Sequence, residues 1–120
     1  MERRAKQSPL RDVAGMLRSF SYAVHSALDY FTQRHPGAQR ILESWGKLWQ
    51  NAVSTEFLNA WRSAAAGNPH LIPQPKQADR LLSAYLLEKA MYELSYELNN
   101  RPAWVRIPLA GIFALPPTSF

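Results

Sequence analysis

The chain has 120 residues, of which 47% are hydrophobic, and it carries four Trp, five Tyr and five Phe. That much apolar surface excludes a disordered chain, and the length leaves room for one core and one domain, residues 1–120. With no Cys, disulfides and thiolate metal sites are excluded. No apolar run reaches the roughly 18 residues of a membrane span. No apolar stretch follows the charged start Met1-Glu2-Arg3-Arg4, so the reading is a cytoplasmic chain with no membrane partner.

The net charge of +5 raises the question of nucleic acid. A nucleic-acid binder gathers its Lys and Arg on one face. Here only Arg3, Arg4 and Lys6 form a dense group. The other basic residues are scattered, which favours a solvated surface.

The first element opens at Ser8-Pro9, where Ser suits an N-cap and Pro the first helical position. Apolar residues then recur at Leu10, Val13, Ala14, Leu17, Phe20, Val24, Leu28 and Phe31, one face of a helix that ends near His35-Pro36-Gly37. A second segment runs from about Ala38 to Ala66, with Ile41, Leu42, Trp45, Leu48, Trp49, Ala52, Val53, Phe57, Leu58 and Trp61 as its stripe. Ser54-Thr55 leaves open one long helix or two shorter ones between 38 and 66. Gly67-Asn68-Pro69 stops it, and a non-helical connector through Pro73-Gln74-Pro75 follows.

The third element, roughly Gln77 to Asn99, has no interior Gly or Pro and is rich in strong helix formers. Its apolar stripe is Leu81, Ala84, Leu87, Met91, Leu94 and Leu98. Asn99-Asn100-Arg101-Pro102 closes it, and the tail Trp104–Leu115 holds one or two helical turns after Pro108. Flexible ends are expected at 1–8 and 115–120. The fold class is therefore all-α, with three main helices plus a short C-terminal helical tail. The expected shared core is Leu17, Phe20, Trp45, Trp49, Leu87, Met91 and Leu94.

Most familiar chemistries find no motif. His25, His35 and His70 are too dispersed for a helical metal pair, and there is no His-Glu-x-x-His, so no metal site is assigned. There is no Gly-rich phosphate loop and no Gly-x-Ser-x-Gly elbow. Glu93 and Glu97 sit one helical turn apart, a pair that could do acid–base work if burial split its pKa values; a solvated face with Arg or Lys nearby is the favoured reading. Tyr85, Lys89, Tyr92 and Tyr96 follow steps of four, three and four, beside the leucine stripe. Rings that stack on a pyranose and polar tips that bond its hydroxyls make such a stripe suitable for a sugar. The pattern alone favours Tyr side chains with buried rings and wet tips.

Two stretches resemble one family. Glu2 to Phe20, including Pro9-Leu10-Arg11-Asp12-Val13-Ala14-Gly15-Met16-Leu17-Arg18, looks like the stretch that follows the metal-binding Asp of maltokinases. Leu87-Glu88-Lys89-Ala90-Met91-Tyr92-Glu93-Leu94-Ser95-Tyr96-Glu97-Leu98-Asn99-Asn100-Arg101-Pro102 and on to Leu109 is similar to their C-terminal end, especially in the form fused to trehalose synthase. Between them, Phe31 to Lys76 matches only in its helical, Trp-rich character. The resemblance implies the helical C-terminal subdomain of an aminoglycoside-phosphotransferase-like kinase fold. Such enzymes transfer the γ-phosphate of ATP, with Mg²⁺, to the anomeric hydroxyl of maltose, and maltose 1-phosphate feeds α-glucan (glycogen) synthesis.

The same resemblance implies that Lys89, Tyr92 and Tyr96 line the maltose site. Asp12 looks like the helix-borne Asp that buttresses the catalytic loop, while an acidic residue favoured by the helix dipole explains it equally well. The family's catalytic and metal-binding residues lie before the stretch that begins here. This sequence has no His-Gly-Asp loop and no Asp-Phe-Glu-Gly motif, and Asp12, Asp29 and Asp79 fall in or near helices where neither role fits. No catalytic residue is assigned. The expectation is a maltokinase fragment, inactive alone, binding no cofactor itself, whose partners are maltose and the missing N-terminal part of the kinase. The alternatives are a stand-alone helical module for a protein or sugar and, third, a basic nucleic-acid-binding domain.

Overall fold

A computed structural model describes residues 8–68 and 74–115. It is all-α, with no strand among the described residues. Helix α1 spans Leu10–Arg34, α2 Gln39–Ala65, α3 Pro75–Asn100 and α4 Arg106–Phe113, with short 3-10 turns at Pro36–Ala38 and Pro102–Trp104. Three long helices and a short tail helix match the architecture read from the sequence.

The boundaries follow local chemistry. The Ser8 hydroxyl accepts from the Leu10 amide at 3.2 Å, but the cap position is Pro9, and the helix starts one residue later than expected. α2 is continuous through Ser54-Thr55, which settles the one-or-two-helix question. α3 starts at Pro75, whose missing N–H has no partner in a first turn. α4 likewise begins before Pro108 and accommodates it near its start. Of the expected flexible ends, 1–7 and 116–120 lie outside the described residues, as do Pro69–Pro73 of the connector and His70.

Helix α1 is the hub. α2 runs antiparallel along one side of it, where Gly46 lets the backbones close: a Cβ there would meet Val24 Cγ1 at 3.0 Å and Leu28 Cδ1 at 3.3 Å. α3 runs parallel to α1 on another side, since Arg18 meets Glu93 and Tyr22 meets Glu97 at one constant offset of 75 residues. The apolar core gathers Leu10, Val13, Ala14 and Leu82, with Leu17, Phe57, Leu58, Trp61, Ala78, Leu81, Tyr85 and Leu86 packed around them. Ile107 and Pro108 of α4 are buried as well.

The expected core needs correction. Leu17, Phe20, Leu87 and Leu94 are partly buried, but Trp45, Trp49 and Met91 are exposed. On α2 the reason is that the sequence carries two apolar arcs. α1 takes the arc containing Leu42, Gly46, Val53, Phe57 and Trp61, leaving Ile41, Trp45 and Leu48 in solvent at 62%, 66% and 62% exposure. Trp49 sits at the border, its ring edge-on to Phe20 at 6.3 Å. On α3 the inward line is Leu82, Leu86, Ala90, Glu93 and Glu97, rotated by one residue from the leucine stripe.

Candidate functional site

The rotation of α3 places two carboxylates in the seam with α1. The guanidinium of Arg18, itself buried, forks onto Glu93. Nη2 donates to Oε1 at 2.7 Å, and Nε donates to Oε1 at 3.0 Å and Oε2 at 3.2 Å. Arg18 also donates to Ser21 Oγ and to the Ile107 carbonyl. Ser21 Oγ in turn accepts from Gln50 of α2 at 2.7 Å, so this one cation ties together all four helices. Gly111 of α4 leaves it room, because a Cβ there would stand 2.9 Å from the guanidinium carbon.

One turn further along, Glu97 is 1% exposed. It accepts from the Tyr22 hydroxyl at 2.7 Å and from Arg101 Nε and Nη2 at 2.8 and 2.9 Å. The Arg101 hydrogen bonds hold the Glu97 carboxyl below its usual range, against the opposing effect of burial, with Tyr22 assisting. Burial, followed by the hydrogen bond to that carboxylate, pushes the Tyr22 phenol up. The Tyr22 ring stacks on Trp104, and Arg101 covers the other partners of this corner, 4.1 Å from the Trp104 centroid and 5.7 Å from that of Tyr96. The expected solvated face is thus corrected, since both side chains point into the seam, while the expected basic neighbours are present as Arg18 and Arg101.

Beside this network, a shallow, open groove of about 370 Å³ lies between α1 and α3, lined by Gly15, Arg18, Ser19, Tyr22, Lys89, Tyr92 and Glu93. Two of the expected sugar residues, Lys89 and Tyr92, meet in it. Tyr92 is 72% exposed, and among the described residues neither its hydroxyl nor the Lys89 ammonium has a hydrogen-bond or ion-pair partner. Lys89 reaches across Gly15, where a Cβ would lie 3.7 Å from its Cε and Nζ. Tyr96 is also exposed but lies beyond the groove, on the Arg101 corner. Tyr85 packs on the core and leaves the stripe. Asp12 is exposed in the first turn of α1.

The role of Glu93 is hidden in the sequence because Arg18 is 75 residues away, whereas the Glu97–Arg101 spacing of four is a local signal. A second, larger cleft of about 850 Å³ lies over α1 between α2 and α4. His25, Gln50, Asn51 and the Asp29–Arg106 ion pair are among its walls. No three His, Asp or Glu side chains converge among the described residues, and Asp29, Glu93 and Glu97 are already held by arginines. Compared with models of known protein families, the chain matches none.

Proposed function

We propose that this chain is the C-terminal helical part of a maltokinase-like enzyme, supplying one wall of the sugar site while the residues that bind ATP and Mg²⁺ and transfer phosphate lie in another part of the enzyme. The observation that carries the reading is the groove: Lys89 and Tyr92, singled out by the resemblance, line one concavity with their polar tips uncommitted. Tyr96 is open to solvent one turn beyond, within reach of a ligand longer than one ring. Under this reading Asp12, exposed at the start of α1, faces the catalytic part.

The ridge Ile41, Trp45 and Leu48 supports the same view. Contiguous exposed apolar side chains mark an interaction face, and the remainder of the kinase is the partner assigned to it. That ridge also favours the second reading, a self-sufficient helical module that seats a different protein. Adding the chain to a maltokinase lacking its C-terminal helices separates the two. Formation of maltose 1-phosphate from ATP and maltose only in the mixture supports the enzyme reading. The chain alone should form none. Turnover by the chain alone, or no recovery in a mixture that does associate, counts against it.

A further inference from the structure

Within the groove, the pairing pattern on α3 is unusual. Lys89 and Glu93 are four residues apart, the spacing at which opposite charges on a helix ordinarily meet. Here they do not pair: Arg18 arrives from α1 and takes the carboxylate, and Lys89 lies over Gly15 instead. Among the described residues, the groove therefore keeps an unpaired ammonium and a fixed carboxylate one helical turn apart, with the Tyr92 phenol between them in sequence.

The carboxylate is also not saturated. Glu93 Oε1 accepts two hydrogen bonds from Arg18, whereas Oε2 accepts one, the longest of the three. A carboxylate offers about four lone-pair sites, so Glu93, which is among the residues lining the groove, retains acceptor capacity that Arg18 does not use. Sugar hydroxyls both donate and accept. A wall that presents a donor and a charged acceptor about 5–6 Å apart at the Cβ level suits neighbouring hydroxyls of one neutral pyranose, and an anion would meet the carboxylate unfavourably.

We propose that Glu93, oriented by Arg18, is a sugar-binding residue that accepts a hydrogen bond from a pyranose hydroxyl adjacent to the one Lys89 contacts. This rests on the sugar-site reading above and adds the acceptor that Lys89, Tyr92 and Tyr96 do not supply as a charged group. Arg18 is then a positioning residue, setting the carboxylate without touching the sugar.

The test is saturation-transfer NMR of maltose with the full 120-residue chain and with Glu93→Gln, which keeps the shape and one acceptor oxygen for Arg18. Glu56→Gln on α2 is the control. The wild-type chain and the control should transfer saturation to maltose, and Glu93→Gln should weaken binding about tenfold or more. Because Glu93→Gln can also loosen the fold, the unmodified chain carrying ¹³C at its glutamate carboxyls gives an independent reading. The Glu93 resonance should move on adding maltose while that of Glu56 stays. Maltose binding by the wild-type chain with an unmoved Glu93 resonance, or undiminished binding by Glu93→Gln, overturns the role of Glu93 alone. No transfer from the wild-type chain overturns the role together with the sugar groove on which it rests.

Discussion

The seam between α1 and α3 is built in two ways along its length. At its N-terminal end, Leu10, Val13, Ala14 and Leu82 close against one another as an apolar core, with the exposed Arg11–Glu88 ion pair, 3.7 Å, at its rim. At its C-terminal end the same two helices meet through Arg18–Glu93 and Tyr22–Glu97–Arg101. Apolar packing tolerates rotation and small shifts; a forked arginine does not, because its donors have fixed directions. The first half supplies adhesion and the second supplies register. The candidate groove sits where the two meet, over Gly15 and Arg18.

The largest expected effect comes from breaking the charged half. Arg18→Ala leaves the Glu93 carboxylate in the seam without its cation, and removing one partner of a buried pair costs about 3–5 kcal/mol. Urea unfolding of the variant should show it, while replacement of the pair together by Arg18→Met and Glu93→Leu should recover most of the loss. If the double replacement is as unstable as the single one, the pair does more than satisfy itself. In the apolar half, Leu82→Ala should cost about 2–4 kcal/mol by lost transfer energy and the cavity left behind. A loss under about 1 kcal/mol would mean that the seam's adhesion lies elsewhere.

Acid should distinguish the halves without mutation. Glu97 has a folded-state value below the ordinary 4.5. Its contribution is therefore complete above that pH and disappears as the pH falls through the lowered value. Thermal unfolding followed from pH 7 downward should lose stability in that range, and Glu97→Gln should flatten this part of the profile, whereas Leu82→Ala should shift the whole curve down. The smallest effect is a gain. Gly15 is helical, and an added Cβ finds only ordinary contact with Lys89. Gly15→Ala should stabilise α1 by about 0.5–1 kcal/mol. A loss instead would show that Lys89 cannot give way and that the groove is tighter than its outline.

What is legible in the sequence divides along the same line. Periodicity and Pro or Gly punctuation mark α1, α2, α3 and the tail, because those signals are local. They also mark Leu10, Val13 and Ala14 as an inward face. They misplace the inward face of α3, since a rule that sends leucines inside has no means of sending Glu97 there. Arg101 is a local partner of Glu97, four residues on, but burial of Glu97 also depends on Tyr22 arriving from α1, a tertiary fact. The same limit sends Trp45 to the core: α2 carries more apolar surface than one neighbour covers, and composition does not say which arc is used. For the site, the spacing of Lys89, Tyr92 and Tyr96 is visible. That Glu93 belongs with them is not, because its partner lies on another helix.

The uneven placement of the tryptophans gives this chain a built-in optical gauge. Trp45 is 66% exposed and Trp49 47%, whereas Trp61 packs on the core and Trp104 is clamped between Tyr22 and Arg101. Emission from the first two is expected to be red-shifted and open to collisional quenchers such as acrylamide, and emission from the partly buried other two to be less so. Any macromolecule seated on the α2 ridge moves intensity from the quenchable fraction to the shielded one, and a sugar in the α1–α3 groove leaves that fraction unchanged. The two surfaces are thus separable in one cuvette, with no label attached.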